Sequence, residues 1–88
     1  MITPNGITYR QIATTVIQAV IDNYLFTEYN KPTQAMIYAD VVGVLNILWK
    51  DLEFKVIPSF NSYSIDFEFI VYVDKNDPIF IRQSYSWG

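Results

Sequence analysis

The stretch of sequence that decides the fold is ITYRQIATTVIQAVIDNYLF, residues 7–26. Its first turn has the pattern of a capping box, in which the Thr8 side chain accepts a hydrogen bond from the backbone N–H of Gln11 and Gln11 reaches back to Thr8. Ile7 and Ile12 occupy the two positions of a hydrophobic staple, which sets the direction in which the chain enters a helix. We therefore expect one long amphipathic helix here, with the rest of the chain arranged around it.

Apolar side chains cover about 200° of this helix, which is wider than the stripe of roughly 100° on a helix that lies on one sheet. The apolar positions are Tyr9, Ile12, Ala13, Val16, Ile17, Val20, Ile21 and Tyr24. We expect the helix to pack on two neighbours, its own sheet and either a second helix or a partner chain. It should end between Thr27 and Asn30, because Pro32 cannot continue it.

The second apolar segment, residues 35–52, fits two secondary structures. Its Val-Val-Gly-Val run at 41–44 has high strand propensity, but the segment is too long for one strand and contains no turn signal. A helix, with Thr33 as its N-cap after the connector Lys31-Pro32, is therefore preferred. One helix face would carry Ile37, Val41, Val44, Leu45, Leu48 and Leu52, and the other the small residues Ala35, Ala39 and Gly43. Small residues at a spacing of four allow a second backbone to approach closely.

Alternation of apolar and polar residues predicts three strands, over residues 53–60, 65–74 and 79–83. The first contains Pro58, which has no N–H to donate, so we expect this strand at an edge of the sheet or near a bulge. The second has an unbroken inner row of Ile65, Phe67, Phe69, Val71 and Val73. Residues 61–64 and 75–78 have the composition of turns, and residues 84–88 are expected to form an aromatic tail.

These elements predict an α+β fold, a single small domain over residues 1–88 with two N-terminal helices packed on one face of a three-stranded antiparallel meander. Only 17% of the residues are charged and 51% are hydrophobic, whereas soluble domains average about 25% charged residues. A chain of this size buries roughly 60–65% of its unfolded surface. We expect either that another chain covers some of the apolar surface or that the core is dense and rich in aromatic residues.

The composition also excludes several classes of function. The chain has no cysteine and no histidine, which removes thiolate chemistry and the commonest general base and metal ligand. Six scattered basic residues and a net charge of −3 disfavour nucleic-acid binding. Neither a signal peptide nor a run of roughly 18 apolar residues is found. We expect a soluble protein of the cytoplasm (host cytoplasm and virion if it is viral) with no membrane partner.

Three groups of residues could carry chemistry, and each has a simpler explanation. Asp66 and Glu68 share one strand face, as acid–base pairs do, but they lie where solvated residues are expected. The residues Asp74, Asn76 and Asp77 resemble the opening of a calcium loop without its central Gly and distal Glu, and a turn explains them. The serines have no activating base and no S-x-x-K pattern. We therefore expect no catalytic residue, metal, cofactor or small-molecule substrate.

The outer side of the predicted sheet and the aromatic tail are the best candidates for a protein interface. The candidate residues are Ile57, Ile70, Tyr72, Tyr85 and Trp87. Tyr and Trp are enriched at binding hot spots because they give a large contact area at a small entropy cost. The alternative is that the tail folds back over its own sheet.

These observations favour a non-enzymatic structural or assembly protein, which acts through contacts with copies of itself or with other protein subunits. A small chain without His or Cys and rich in Ile, Asn and Tyr is similar in composition to accessory components of virions and of phage tails, heads or connectors, although no motif identifies a family. The alternative is a small acidic inhibitor, such as an immunity or anti-defence protein, that occludes a partner. That role requires one contiguous acidic patch, for which the candidates are Asp51, Glu53, Asp66 and Glu68.

Overall fold

The computed structural model describes residues 6–86, with side chains from Thr8 onward, and it contains two helices followed by three strands. The helices are α1 (Gly6–Asp22) and α2 (Lys31–Leu48), and the strands are β1 (Glu53–Phe60), β2 (Ser64–Tyr72) and β3 (Ile79–Ser86). The strands form one antiparallel sheet in the order β1-β2-β3. The predicted α+β fold, with two helices followed by an antiparallel meander, is confirmed, and β1 lies at an edge as its proline indicated.

The start of α1 differs from the sequence prediction. The helix begins at Gly6, so Thr8 lies inside the first turn and the prediction that Thr8 is the N-cap is wrong. A T-x-x-Q pattern can also occur within the first turn of a helix that starts earlier, which is the arrangement found here. The Ile7 side chain of the proposed staple lies outside the described residues.

The end of α1 comes earlier than expected, at Asp22. The N–H groups of Asn23 and Tyr24 bond to carbonyls three residues back, at 3.1 and 2.8 Å, which tightens the last turn and ends the helix. Leu25 and Phe26 are 50% and 103% exposed. Because Phe26 is fully exposed and Leu25 half-exposed, extending the helix through them would bury little additional apolar surface.

Helix α2 forms, as preferred, but its N-cap is Asn30 and not Thr33. The Asn30 side chain accepts a hydrogen bond from the Thr33 N–H at 3.0 Å, and Pro32 fits the first turn because an N–H is not needed there. Thr33 is buried instead, and its hydroxyl donates to the Glu28 carbonyl at 2.6 Å. The proline therefore lies in the first turn of this helix, whereas the sequence interpretation placed it in a connector.

The buried stripe of α2 is narrower than predicted. It consists of Thr33, Ile37, Val41 and Leu45, and it continues into Trp49 just after the helix. Val44 and Leu48, predicted on the same face, are exposed. The helix ends at Leu48 and not at Leu52, because Trp49 leaves helical geometry to place its indole ring in the core.

The core lies between the helices and the inner face of the sheet. Ile65, Phe67, Phe69 and Val71 of β2 are fully buried, and the Phe67 and Phe69 rings stack with centroids 5.8 Å apart. Helix α1 contacts both α2 and β3, so its wide apolar arc has the two neighbours that were expected. Strand β2 ends at Tyr72, and Val73, predicted on the inner face, lies beyond it and is exposed.

Strand β3 is longer than the sequence indicated. Residues 84–86, predicted to be part of a tail, continue the strand because β2 supplies pairing partners as far as Ser64, with Tyr85 opposite Ile65. The preceding turn is held by Asp74, whose carboxylate accepts from the Asn76 N–H at 2.9 Å and whose carbonyl accepts from the Asp77 N–H at 3.1 Å. These contacts account for the acidic residues that resembled a calcium loop.

Candidate functional site

The outer face of the sheet, which points away from the helices, carries a group of neighbouring apolar residues. It contains Ile57 of β1, Ile70 and Tyr72 of β2, and Phe80 of β3, which we call the outer patch. In the register of the sheet Ile70 lies directly opposite Phe80, and Ile57 lies one diagonal step from Ile70 because it is opposite Glu68. Phe80 is 61% and Ile57 47% exposed, whereas Ile70 and Tyr72, on the central strand, are half-buried.

Charged residues of both signs surround the outer patch. They are Glu53, Lys55, Asp66, Glu68 and Arg82, all on the same face. Glu68 lies opposite Arg82, and Asp66 accepts hydrogen bonds from the Ser84 hydroxyl at 2.5 Å and the Asn61 amide at 3.2 Å. Because the cations lie among the carboxylates, this face has a polar rim of alternating charge and no single acidic surface.

The structure brings together three of the five predicted interface residues. Ile57, Ile70 and Tyr72 form the outer patch, but Tyr85 lies on the inner side of β3, where it packs against the core and its hydroxyl donates to the Thr14 carbonyl at 3.4 Å. Burial raises the pKa of the Tyr85 phenol above its ordinary value. Trp87 lies outside the described residues.

Phe80 is the patch residue that sequence reasoning missed. The run Ile79-Phe80-Ile81 is apolar throughout, so alternation alone does not say which side faces the core. A usable signal was the position of Arg82 and Ser84, because residues two apart on a strand share a face. Phe80 therefore belongs to the polar side of β3, where a large exposed aromatic ring is unexpected.

A second apolar surface lies on the solvent side of the helices. Val44, Ile47 and Leu48 are 37%, 73% and 55% exposed, and a shallow groove of about 390 Å³ separates α1 from α2 beside the first two of them. The close backbone approach predicted for the small residues is not made within the described chain. No atom of the described chain, apart from the neighbouring residues and backbone of α2 itself, lies within 4 Å of the position that a Cβ on Gly43 would take.

A wider groove of about 520 Å³ runs between α2 and β1. Tyr38, Val42 and Asn46 line it from α2, and residues 52–57 line it from the sheet side. The inner-face side chains Phe54 and Val56 are only half-buried, in contrast to the fully buried row of β2. The helices thus cover the inner side of β2 completely and leave that of β1 partly open.

Polar groups elsewhere in the described chain hold elements together. Tyr24 donates a hydrogen bond to the Asp40 carboxylate, which ties the end of α1 to α2 and raises the pKa of Tyr24. Among residues 6–86 no three His, Cys, Asp or Glu side chains are arranged to hold a metal ion. No described helix combines the length and hydropathy needed to cross a bilayer.

Comparison with known proteins identifies a family. The chain belongs to DUF7355, a domain of unknown function, whose family model matches residues 6–88. No curated protein and no solved structure matches it at a significant level. The family match covers the whole described fold but assigns it no activity, so the function has to be argued from the surfaces.

Proposed function

Starting from a family without an assigned function, we propose that the protein is a non-enzymatic structural or assembly module that binds another protein chain through the outer patch. The observation that carries this proposal is the geometry of the patch, an exposed apolar centre inside a rim of alternating charges. Protein interfaces have this anatomy, with a desolvated apolar core and a polar, solvent-accessible rim.

Phe80 is the expected anchor of the contact. Its ring is 61% exposed, and full burial of a Phe side chain contributes about 1.5–3 kcal/mol. Beside it Ile70 supplies apolar area, and Tyr72 supplies the large, rigid side chain that is typical of hot spots. An aromatic residue kept exposed on the polar side of an edge strand adds nothing to the monomer's own core, which favours a role in binding.

The rim distinguishes this proposal from an acidic inhibitor. Glu53, Asp66 and Glu68 lie on one face, but Lys55 and Arg82 are placed among them. Alternating charges fix the register of a contact and exclude wrong partners, whereas an inhibitor of a basic active site needs a field of one sign. The arrangement therefore favours a docking surface of defined orientation.

Within this proposal the composition favours a virion or phage component. Mass spectrometry of purified particles from the source organism tests this part. The chain should be recovered from the particles at a constant ratio to their major protein. Recovery only from the soluble fraction would contradict the virion role and leave the binding role to be judged separately.

The binding role is tested with the intact chain as bait in three versions, wild type, Phe80→Ser and the control Tyr63→Ser. Tyr63 is 80% exposed and lies in the β1–β2 turn, away from the outer patch. A partner that uses the outer patch is retained by wild type and by Tyr63→Ser. With the purified partner, titration calorimetry should show binding to Phe80→Ser at least about tenfold weaker. Equal retention by all three baits would refute the use of this face.

A further inference from the structure

The backbone of β1 has one side free for pairing. The Asn61 N–H donates to the Ser64 carbonyl at 2.8 Å, and since hydrogen-bonded and non-hydrogen-bonded pairs alternate in an antiparallel ladder, the odd-numbered residues of β1 bond to β2. The N–H and C=O groups of Phe54 and Val56 therefore point to the free edge. Pro58 has the same orientation, so its missing N–H costs the sheet no bond.

The two edges of the sheet differ in how they are covered. By the same alternation the carbonyl of Arg82 points away from β2, and the Arg10 side chain of α1 donates to it at 3.4 Å. Helix α1 thus reaches over the edge of β3. The edge of β1 instead borders the open groove beneath α2, so β1 is the edge that can accept a further strand.

We propose that β1 pairs with β1 of a second copy of this chain, antiparallel, about a two-fold axis that passes between the two Phe54 residues. The segment involved is LEFKV, residues 52–56, and it is complementary to itself when read in opposite directions. Phe54 faces Phe54 and Leu52 faces Val56, which places apolar side chains together on the inner side. On the outer side Glu53 of each copy faces Lys55 of the other, which gives two pairs of opposite charge.

This pairing also fills the groove. In β1 the side chains of Phe54 and Val56 point to the inner face, toward the groove that Tyr38 and Val42 line from α2. A second β1 at this edge would place its own Phe54 and Val56 beside those two helix residues. Each copy would then bury the half-exposed inner face of the other. Pro58 lies just beyond the paired residues, where it disfavours slippage to longer registers.

The proposal goes beyond the proposed function, because it names one partner, a second copy, and a contact distinct from the outer patch. The paired segment is short, so the interface falls in the small class of transient contacts that bury less than about 1,200 Å². We therefore expect reversible self-association at micromolar concentration.

The test is sedimentation equilibrium on four proteins and one mixture. Glu53→Lys places two pairs of lysines face to face across the axis, Lys55→Glu does the same with carboxylates, and each change should weaken self-association about tenfold. An equimolar mixture of the two variants, and the double variant Glu53→Lys/Lys55→Glu, restore opposite charges at both positions and should restore association. Both side chains are exposed, and circular dichroism verifies that each variant folds.

The controls separate this contact from the outer patch. Glu68→Lys makes the same charge reversal on β2 and should leave self-association unchanged, as should Phe80→Ser. A wild-type chain that stays monomeric, single variants that associate normally, or a mixture that fails to recover would each overturn the edge pairing. If only Phe80→Ser loses self-association, the contact between copies lies in the outer patch and not at the β1 edge. If edge pairing is observed but no partner depends on Phe80, only the proposed function is contradicted.

Discussion

Replacing Phe69 by Ala should lower the free energy of unfolding of this fold by about 4 kcal/mol. Phe69 is fully buried in the middle of β2, the central strand. Its ring stacks on Phe67 at 5.8 Å with an interplanar angle of 14°. The substitution therefore deletes a buried ring, leaves a cavity in the single core between the helices and the sheet, and removes one aromatic pair.

The magnitude follows from these three losses. Deleting a core Phe costs about 3–5 kcal/mol, and an aromatic pair contributes about 0.5–1.5 kcal/mol beyond its area, so the upper half of that range is expected. A domain of 88 residues has a total unfolding free energy of roughly 4–13 kcal/mol. A loss of about 4 kcal/mol would lower the Tm by roughly 15–30 °C.

Urea denaturation followed by circular dichroism measures this loss as a shift of the midpoint urea concentration, provided that the dependence of the unfolding free energy on urea concentration is unchanged. Phe80→Ala is the matched control, because it makes the same chemical change on an outward-facing, largely exposed residue, and it should cost less than about 1 kcal/mol. If the two substitutions lower the free energy of unfolding of the monomer equally, the assignment of Phe69 to the inner side and Phe80 to the outer side of the sheet is refuted.

Three further predictions concern the caps and buried polar groups. Asn30→Ala removes the acceptor for the Thr33 N–H and should cost about 1 kcal/mol in the urea midpoint, whereas Asn76→Ala, in the β2–β3 turn, should change it little. Trp49 is 3% exposed, and its indole N–H has no hydrogen-bond partner among the described residues, so Trp49→Phe relieves an unpaired donor and should cost less than about 1.5 kcal/mol, against about 3–5 for Trp49→Ala. Burial raises the folded-state pKa of Tyr85 above its ordinary value of 10.0. The contribution of Tyr85 to the free energy of unfolding is therefore fully present below pH 10.0 and is lost as the pH rises through the raised pKa. Tyr85→Phe should accordingly flatten the alkaline fall in stability, and an unchanged pH profile would contradict the burial of that phenol.

The fold could be predicted because the helices and strands have clear local patterns of apolar and polar residues. The alternation of Ile65, Phe67, Phe69 and Val71 identified the inner face of β2, and Pro58 identified an edge strand. The errors fall at boundaries, where tertiary contacts compete with local signals. Asn30 caps α2 although the Thr33 side chain can also cap a helix, because the Thr33 hydroxyl donates to the Glu28 carbonyl inside the fold. Trp49 ends α2 because its ring reaches the core between Tyr9 and Phe54.

The candidate surfaces were predicted in part for the same reason. Ile57, Ile70 and Tyr72 were placed on the outer side by alternation alone, since a strand's side-chain period is two. Tyr85 was misassigned because the length of β3 depends on how far β2 offers it partners, which is a property of the pair. Phe80 was missed because residues 79–81 are all apolar, so the alternation that distinguishes the two faces of a strand is absent there.

The amino-acid sequence by itself determined the order of the elements, the two faces of β1 and β2 and the absence of histidine and cysteine chemistry, because these depend on neighbouring residues and on composition. Only the tertiary structure decided which apolar side chains find cover. In the folded chain Phe80 is exposed to solvent, Tyr85 packs against α1, and a groove lies beside Phe54 and Val56. The physical reason is that the burial of a strand side chain depends on where each helix lies over the sheet, and packing between segments distant in the sequence decides that position.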